Sequence, residues 1–259
     1  MGVNLLQLPN NALAMISDLN SKEIARFRSE QGFDPGVKNY VRLFDDFTGD
    51  VIADQWSAAQ GSDGQGAIAA VVAGSVGGVV RLTSGDAGSG TAADASILTH
   101  GLNWRASNGG LYLRVRAALE SAANVCVNIG FTDVLATTTL EMPVTISGTT
   151  LTTATSNGVV FVYDTAQTND FWHMQGVKAD TDTAINNSSV LPVAATYNTY
   201  EIFINDSGAA SFYIDEVFKG AVANAVTTST ALTPVIGIET RTTTTKYIDI
   251  DYIEVAMMR

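Results

Sequence analysis

Between Tyr197 and Val255 the sequence passes through short segments in which apolar and polar residues alternate, each followed by turn residues. Tyr200, Ile202 and Ile204 alternate with Glu201, Phe203 and Asn205, the period of two that a strand with one buried face requires. Asn205-Asp206-Ser207-Gly208 is turn chemistry: short polar side chains that bond to their own backbone, then a glycine free to take positive φ. Ser211 to Ile214 returns as the partner strand, and Asp215-Glu216 starts the next turn. Pro234 to Ile238 and Tyr247 to Val255 follow as further strands. A chain of this pattern folds as antiparallel sheets, so the expected class is all-β.

The order of these strands resembles the C-terminal half of the concanavalin A-like lectin/glucanase superfamily. The matching segments are Asp206-Ser207-Gly208, Phe212-Tyr213-Ile214-Asp215, Pro234-Val235-Ile236-Gly237-Ile238 and Asp251-Tyr252-Ile253-Glu254-Val255. Phe44-Asp45-Asp46-Phe47-Thr48-Gly49, with Trp56 beyond it, is similar to the opening strand of such domains. The resemblance covers residues 43–257 and implies a two-sheet antiparallel jelly-roll sandwich. It implies no single activity, because this sandwich carries enzymes, lectins and inert modules alike.

The chain is 46% apolar and 15% charged, with a formal net charge of −12. Nucleic-acid binding needs a basic footprint that displaces counterions, and an anionic membrane surface needs the same, so both partners are excluded. Cys126 is alone, so no intrachain disulfide forms. It shares a strand face with Asn124 and Asn128, opposite Val125, Val127 and Ile129, and reads as a small residue on a partly covered face. Met1-Gly-Val-Asn-Leu-Leu has no basic n-region or cleavage site, so the expectation is synthesis in the cytoplasm without a signal peptide.

Composition shifts near residue 43. Residues 1–42 carry 5 basic and 4 acidic residues, leaving 9 basic against 22 acidic in the remainder. Asn20 with Glu23 three residues on, then Ile24, Phe27 and Arg28, has the spacing of a capped short helix. The expected domains are therefore an N-terminal arm with a helix, 1–42, and a sandwich, 43–259. Leu5, Leu6, Leu8, Ile16, Ile24 and Phe27 are too few to form a core in so short a segment, and so are the candidate partner-binding residues.

Between the arm and the C-terminal strands, Val79 to Leu82 and Leu111 to Arg116 read as strands, the second with Leu111, Leu113 and Val115 inward. Gly158–Tyr163 and Asp170–Gln175 read as a hairpin. The stretch from Thr137 to Thr153 reads as a small, polar loop.

Asp249-Ile-Asp251-Tyr-Ile-Glu254 is the segment that most invites a catalytic reading. Laminarinase-type members of the superfamily carry Glu-x-Asp-x-Glu or Glu-x-Asp-x-x-Glu on a strand in mid-domain, its outer carboxylates serving as nucleophile and acid/base, and retaining hydrolysis needs two carboxyls about 5 Å apart. Here the carboxylates lie on the closing strand, and Glu254 falls on the opposite face from Asp249 and Asp251 unless a bulge intervenes. No catalytic residue is assigned. His100 and His173 are isolated, no Gly-x-Ser-x-Gly elbow is present, and Asp86, Asp94, Asp180 and Asp182 form no ligand loop, so no metal or cofactor is expected. Sugar sites stack a ring on an exposed aromatic; Trp104 and Trp172 are the candidate glycan contacts, while Trp56 reads as core or rim.

The resulting expectation is a non-enzymatic structural protein. The Ala/Gly/Thr-rich, weakly charged composition resembles bacteriophage capsid decoration (cement) proteins. That resemblance implies a virion location on the capsid surface, a major capsid protein or other virion protein as partner, and self-association, first as a trimer. The alternatives are a carbohydrate-binding module with a glycan partner and a divergent glycoside hydrolase.

Overall fold

The computed structural model describes residues 40–61, 69–86, 94–135 and 141–258. The described residues form strands in two antiparallel sheets that pack as a sandwich, with the strand order consistent with a jelly roll. The expected arm helix, and Leu5, Leu6, Leu8, Ile16, Ile24 and Phe27, lie outside the described residues.

Strands are numbered in chain order. Sheet I runs β16 (Val217–Val222), β15 (Ala210–Ile214), β14 (Asn198–Ile204), β6 (Leu111–Leu119), β18 (Tyr247–Met258), β4 (Val80–Thr83) and β3 (Ala69–Val71). β1 (Tyr40–Asp45) lies along the C-terminal half of β18. Tyr40, Val41 and Arg42, counted with the arm in the sequence, thus run opposite Met258, Met257 and Ala256. Sheet II runs β12 (Thr181–Asp182), β11 (His173–Lys178), β10 (Asn157–Asp164), β7 (Val125–Thr132), β17 (Thr233–Thr240), β5 (Ala95–Thr99) and β2 (Ser57–Gln60), with β13 (Asn186–Asn187) against β11.

The alternation read from the sequence sets which side chains meet between the sheets. Leu111, Leu113, Val115, Tyr200, Ile202 and Ile204 of sheet I face Val127, Ile129, Phe131, Val159 and Phe161 of sheet II in one buried core. Each such side chain contributes roughly 1.5–3 kcal/mol relative to exposure, which is why the alternating pattern fixes the fold. The turn at Asn205 forms as its residues dictate: the Asn205 side-chain oxygen accepts from the backbone of Ser207 and Ala209. Gly208 there has φ +83, and a Cβ would stand 2.4 Å from the Val226 carbonyl oxygen.

The stretch read as a polar loop contains a hairpin instead. β8 (Val144–Ser147) and β9 (Thr150–Thr153) pair antiparallel around Gly148. Their apolar side, Val144 and Ile146 with Met142, lies on the outward face of sheet II against Cys126, Val160, Val162 and Val235. Cys126 is accordingly fully buried rather than partly covered. Asn128 fastens the hairpin from below, accepting from the Val144 amide and donating to its carbonyl, both at 2.9 Å.

Candidate functional site

β18 turns three carboxylates to one side of sheet I. Ile250 stands opposite Ala117 and Tyr252 opposite Arg116, so Asp251 is an extra residue, a bulge. The bulge resets the alternation: Ile248, Ile250, Ile253 and Val255 all enter the core, and Glu254 joins Asp249 on the outward face.

Each carboxylate meets an arginine from a different strand, and each of those arginines lies over an aromatic ring. Arg81 of β4 donates Nε and Nη2 to the two oxygens of Asp249 at 2.7 and 2.8 Å and lies 3.6 Å from the Tyr247 ring centroid. Arg116 of β6 donates to Asp251 and lies 4.5 Å from the Tyr197 ring. Arg42 of β1 donates Nε to Glu254 at 2.7 Å and lies 5.2 Å from Phe44. Arg114 stands between Glu201 and Glu254 in register and lies 5.4 Å from Tyr252. Burial pushes the Glu254 carboxyl above its ordinary range, and the charges of Arg42 and Arg114 oppose that shift. Glycoside hydrolysis asks for one carboxyl that donates a proton and one free to act as nucleophile or base. Here guanidinium groups hold the carboxylates of β18, an arrangement suited to rigidity and to surface recognition.

Beside this charged strip an aromatic ladder crosses the same face. Phe218 and Tyr213 have ring centroids 5.5 Å apart, Tyr213 and Phe203 5.6 Å, and Phe203 and Tyr112 4.6 Å. The Tyr112 hydroxyl donates to Glu201 at 3.0 Å. In the sequence the ladder is carried by the outward half of each alternating strand, at the positions that do not build the core.

The outward face of sheet II offers less room. β10 turns Val160 and Val162 outward beneath the β8–β9 hairpin. Asp164, at the end of β10, accepts both Nε and Nη2 of Arg241, at 3.0 and 2.6 Å, and also the Ile146 amide at 3.0 Å. Arg241 Nη1 donates to Glu239 at 2.6 Å. Burial pushes the Glu239 carboxyl up to about 7, against the pull of Arg241 and with the help of Asp164 and Asp94. Glu239 lines a cleft of about 180 Å³ with Met142, Thr145 and Thr152. That volume is below the ~300–1,000 Å³ of usual ligand pockets.

The two tryptophans proposed as glycan contacts do not reach the surface. Trp104 is 3% exposed and pairs through its backbone with Leu232, and Trp172 is 1% exposed, packed on Phe161, Tyr163 and Tyr200. A sugar cannot stack on either ring, because the apolar core already occupies their faces. His173 opens β11, 4% exposed, with Nδ1 2.9 Å from the Phe171 carbonyl oxygen. Among the described residues no three His, Cys, Asp or Glu side chains gather as a metal-ligand set.

No family model and no curated protein match this sequence. Solved structures do. A β-glucanase from Bacillus licheniformis superimposes with a TM-score of 0.56 at 14% identity, over 84% of this chain and 98% of that one. The carbohydrate recognition domain of Emp47p gives 0.55 at 8% identity, over 84% and 95%. A laminarinase from a Flavobacterium gives 0.54 at 10% identity, over 82% and 98%. The fold is the two-sheet sandwich that these proteins share. At such identities the likeness is one of fold, and function rests on this chain's own side chains.

Proposed function

We propose that the chain is a non-catalytic structural module, a rigid sandwich that works by holding to a larger assembly in the manner of a capsid decoration protein. One observation carries the reading: the outward carboxylates of β18 are each held by an arginine brought from another strand. Carboxylates tied in this way stiffen the sheet, because each guanidinium fastens β18 to a neighbouring strand. The roof of β8 and β9 over Val160 and Val162 supports the same reading, since it fills the outward face of sheet II with apolar contacts. Two measurements test it. Purified protein should leave laminarin, lichenan and chitin oligomers intact, and turnover that disappears in Glu254→Gln overturns the non-catalytic part. Mass spectrometry and electron cryomicroscopy of purified virions should find the chain on the coat, and its absence from particles overturns the assembly part.

A second reading, carbohydrate binding without catalysis, is favoured by Phe44. Its ring is 47% exposed, 5.9 Å from Tyr252, and flanked by the Arg42–Glu254 pair, so it offers an apolar face with hydrogen-bonding groups beside it. Stacking on such a ring is how sugars are held in many lectins, and a fold shared with a carbohydrate recognition domain is compatible with it. A glycan array settles this reading: a hit that survives Phe44→Ala argues against this site.

A further inference from the structure

We propose that two copies of the chain associate through the border of the sandwich at the start of β16, with a two-fold axis crossing that strand between Val217 and Phe218. The proposal is independent of what the sandwich binds. It starts from exposed apolar side chains. Among the described residues β16 is the last strand of sheet I on its side, and Val217 and Phe218 at its start are each 55% exposed. Leu191, 58% exposed, stands on the same border. It follows Val190, whose carbonyl accepts the Trp172 amide at 2.9 Å, and the Trp172 ring lies 4.8 Å from Tyr200. Tyr200 is opposite Ile214, and Ile214 opposite Val217. At the far end of the strand Asn186 reaches the Ala221 carbonyl oxygen at 3.4 Å and Val222 is buried, so the large exposed side chains gather at the start.

Charge decides what covers these residues. The chain carries a formal net charge of −12, so two copies repel except where their surfaces are uncharged or paired. Between positions 183 and 199, and again between 217 and 238, the one charged residue is Lys219. This border is therefore a part of an acidic molecule on which a second acidic copy can settle. Exposed apolar side chains in an uncharged surround have the composition of an interface core, where charged residues are depleted.

The order of residues fixes the pairing. Glu216, Val217, Phe218 and Lys219 run acid, apolar, apolar, base. A two-fold axis through the middle of that run sets the strand antiparallel to its copy, because an isologous contact brings residue i to j and j to i. Glu216 of each copy then lies beside Lys219 of the other, while Val217 and Phe218 cover their counterparts. A parallel alignment would set acid against acid and base against base. A carboxylate accepts from more than one donor, so Glu216 takes the second copy's ammonium alongside contacts in its own chain. The turn that carries it, Asp215 and Glu216 at φ +51 and +64, is fastened by the Asp215 carboxylate to the Asn198 side chain and the Thr199 amide, which presents the acid at a fixed place.

The test is sedimentation velocity of the full chain over a wide range of concentration. The wild type is expected to rise from one chain mass to two. Glu216→Lys and Lys219→Glu, each alone, should weaken dimerisation at least ~tenfold, since each sets like charges together at both ends of the contact. An equimolar mixture of the two variants should recover the wild-type dimer, because the basic run of one then faces the acidic run of the other. Asp50→Lys is the control: it is exposed beside β3 at the other end of sheet I, changes net charge as much as Glu216→Lys, and should not weaken the dimer. A wild type that stays at one chain mass or settles at another number of chains, single variants that dimerise as well as wild type, or a mixture no tighter than its components overturns the proposal. Should either variant fail to melt cooperatively, wild-type protein is treated with a carbodiimide, which joins a carboxylate to an amine without a spacer. A two-chain product linked between Glu216 and Lys219 is then expected, and a two-chain product linked elsewhere, or none, overturns the proposal.

Discussion

The guanidinium of Arg81 lies 3.6 Å from the ring centroid of Tyr247 while both oxygens of Asp249 accept its hydrogen bonds. A planar, forked cation does both at once; an ammonium on a flexible stem does neither as well. Arg81 and Asp249 are partly exposed, with side chains at 35% and 18%, so solvent screens the pair and its worth is modest. Arg81→Lys is expected to cost about 1 kcal/mol and Arg81→Ala about 1–2 kcal/mol, from the lost ring contact and the lost fork together. Chemical denaturation measures both. A lysine variant with the wild-type midpoint would show that the stacked fork contributes nothing.

Glu239 makes stability depend on pH. Its folded carboxyl titrates near 7 and its ordinary value is 4.5, so the folded state holds the proton more tightly than the unfolded chain. Stability from this group is therefore complete below about pH 4.5 and is lost as pH rises towards 7, by an amount on the order of a few kcal/mol. Burial raises Glu254 in the same direction and adds to the slope. In Glu239→Gln the side chain no longer titrates, and the fall in melting temperature between pH 5 and pH 8 should shrink. If that variant keeps the full wild-type slope, another group sets it.

Most of the fold was legible because alternation is a direct image of the pleat. Leu111, Leu113 and Val115 face the core and Tyr112, Arg114 and Arg116 face away, as their spacing requires. What failed was whatever depended on a second layer. The β8–β9 hairpin is hidden in a threonine-rich stretch, because Val144 and Ile146, with the partly buried Leu151, are the apolar residues its strands pack on sheet II, too few to make a clear period. Cys126 was misjudged for the same reason. Trp104 and Trp172 lie in the core, and a tryptophan gives no sign in the sequence of whether its face is free. The carboxylates of β18 were legible singly. Their pairing with Arg42, Arg81 and Arg116 was not, since it joins positions up to 212 residues apart.

Cys126 should be chemically silent. It is fully buried between sheet II and the β8–β9 hairpin, and burial, assisted by the charge of Asp164, pushes its thiol well above the usual range. The thiolate is the reactive form, so neither access nor ionisation favours attack. Native protein is expected to resist 5,5′-dithiobis(2-nitrobenzoate), with one thiol titrating once guanidinium unfolds the chain. Rapid labelling under native conditions would mean that the hairpin opens far below the global unfolding free energy.

The bulge at Asp251 gives the sharpest test of how β18 is built. Without it the strand would read Ile248, Ile250, Ile253 and Val255 at strictly alternate positions, with Asp249, Tyr252 and Glu254 outward. Deleting Asp251 therefore leaves every core residue of β18 facing the core, and β6 already places Ala117 and Arg116 consecutively opposite Ile250 and Tyr252. The losses are the Arg116 pair and the bend where β18 changes partner from β4 to β1. Deleting Ile253 is a different matter. Read through without the bulge, the shortened strand keeps Glu254 outward and Val255 inward but brings Tyr252 and its hydroxyl into the place of Ile253 in a packed core. Overpacking and a buried hydroxyl together cost about 3 kcal/mol or more. The deletion of Asp251 is expected to give soluble protein with a cooperative melt about 1–3 kcal/mol less stable, and that of Ile253 to be clearly more destabilising. If the two deletions behave alike, Asp251 is no dispensable insertion, and the bulge itself holds the sheet together.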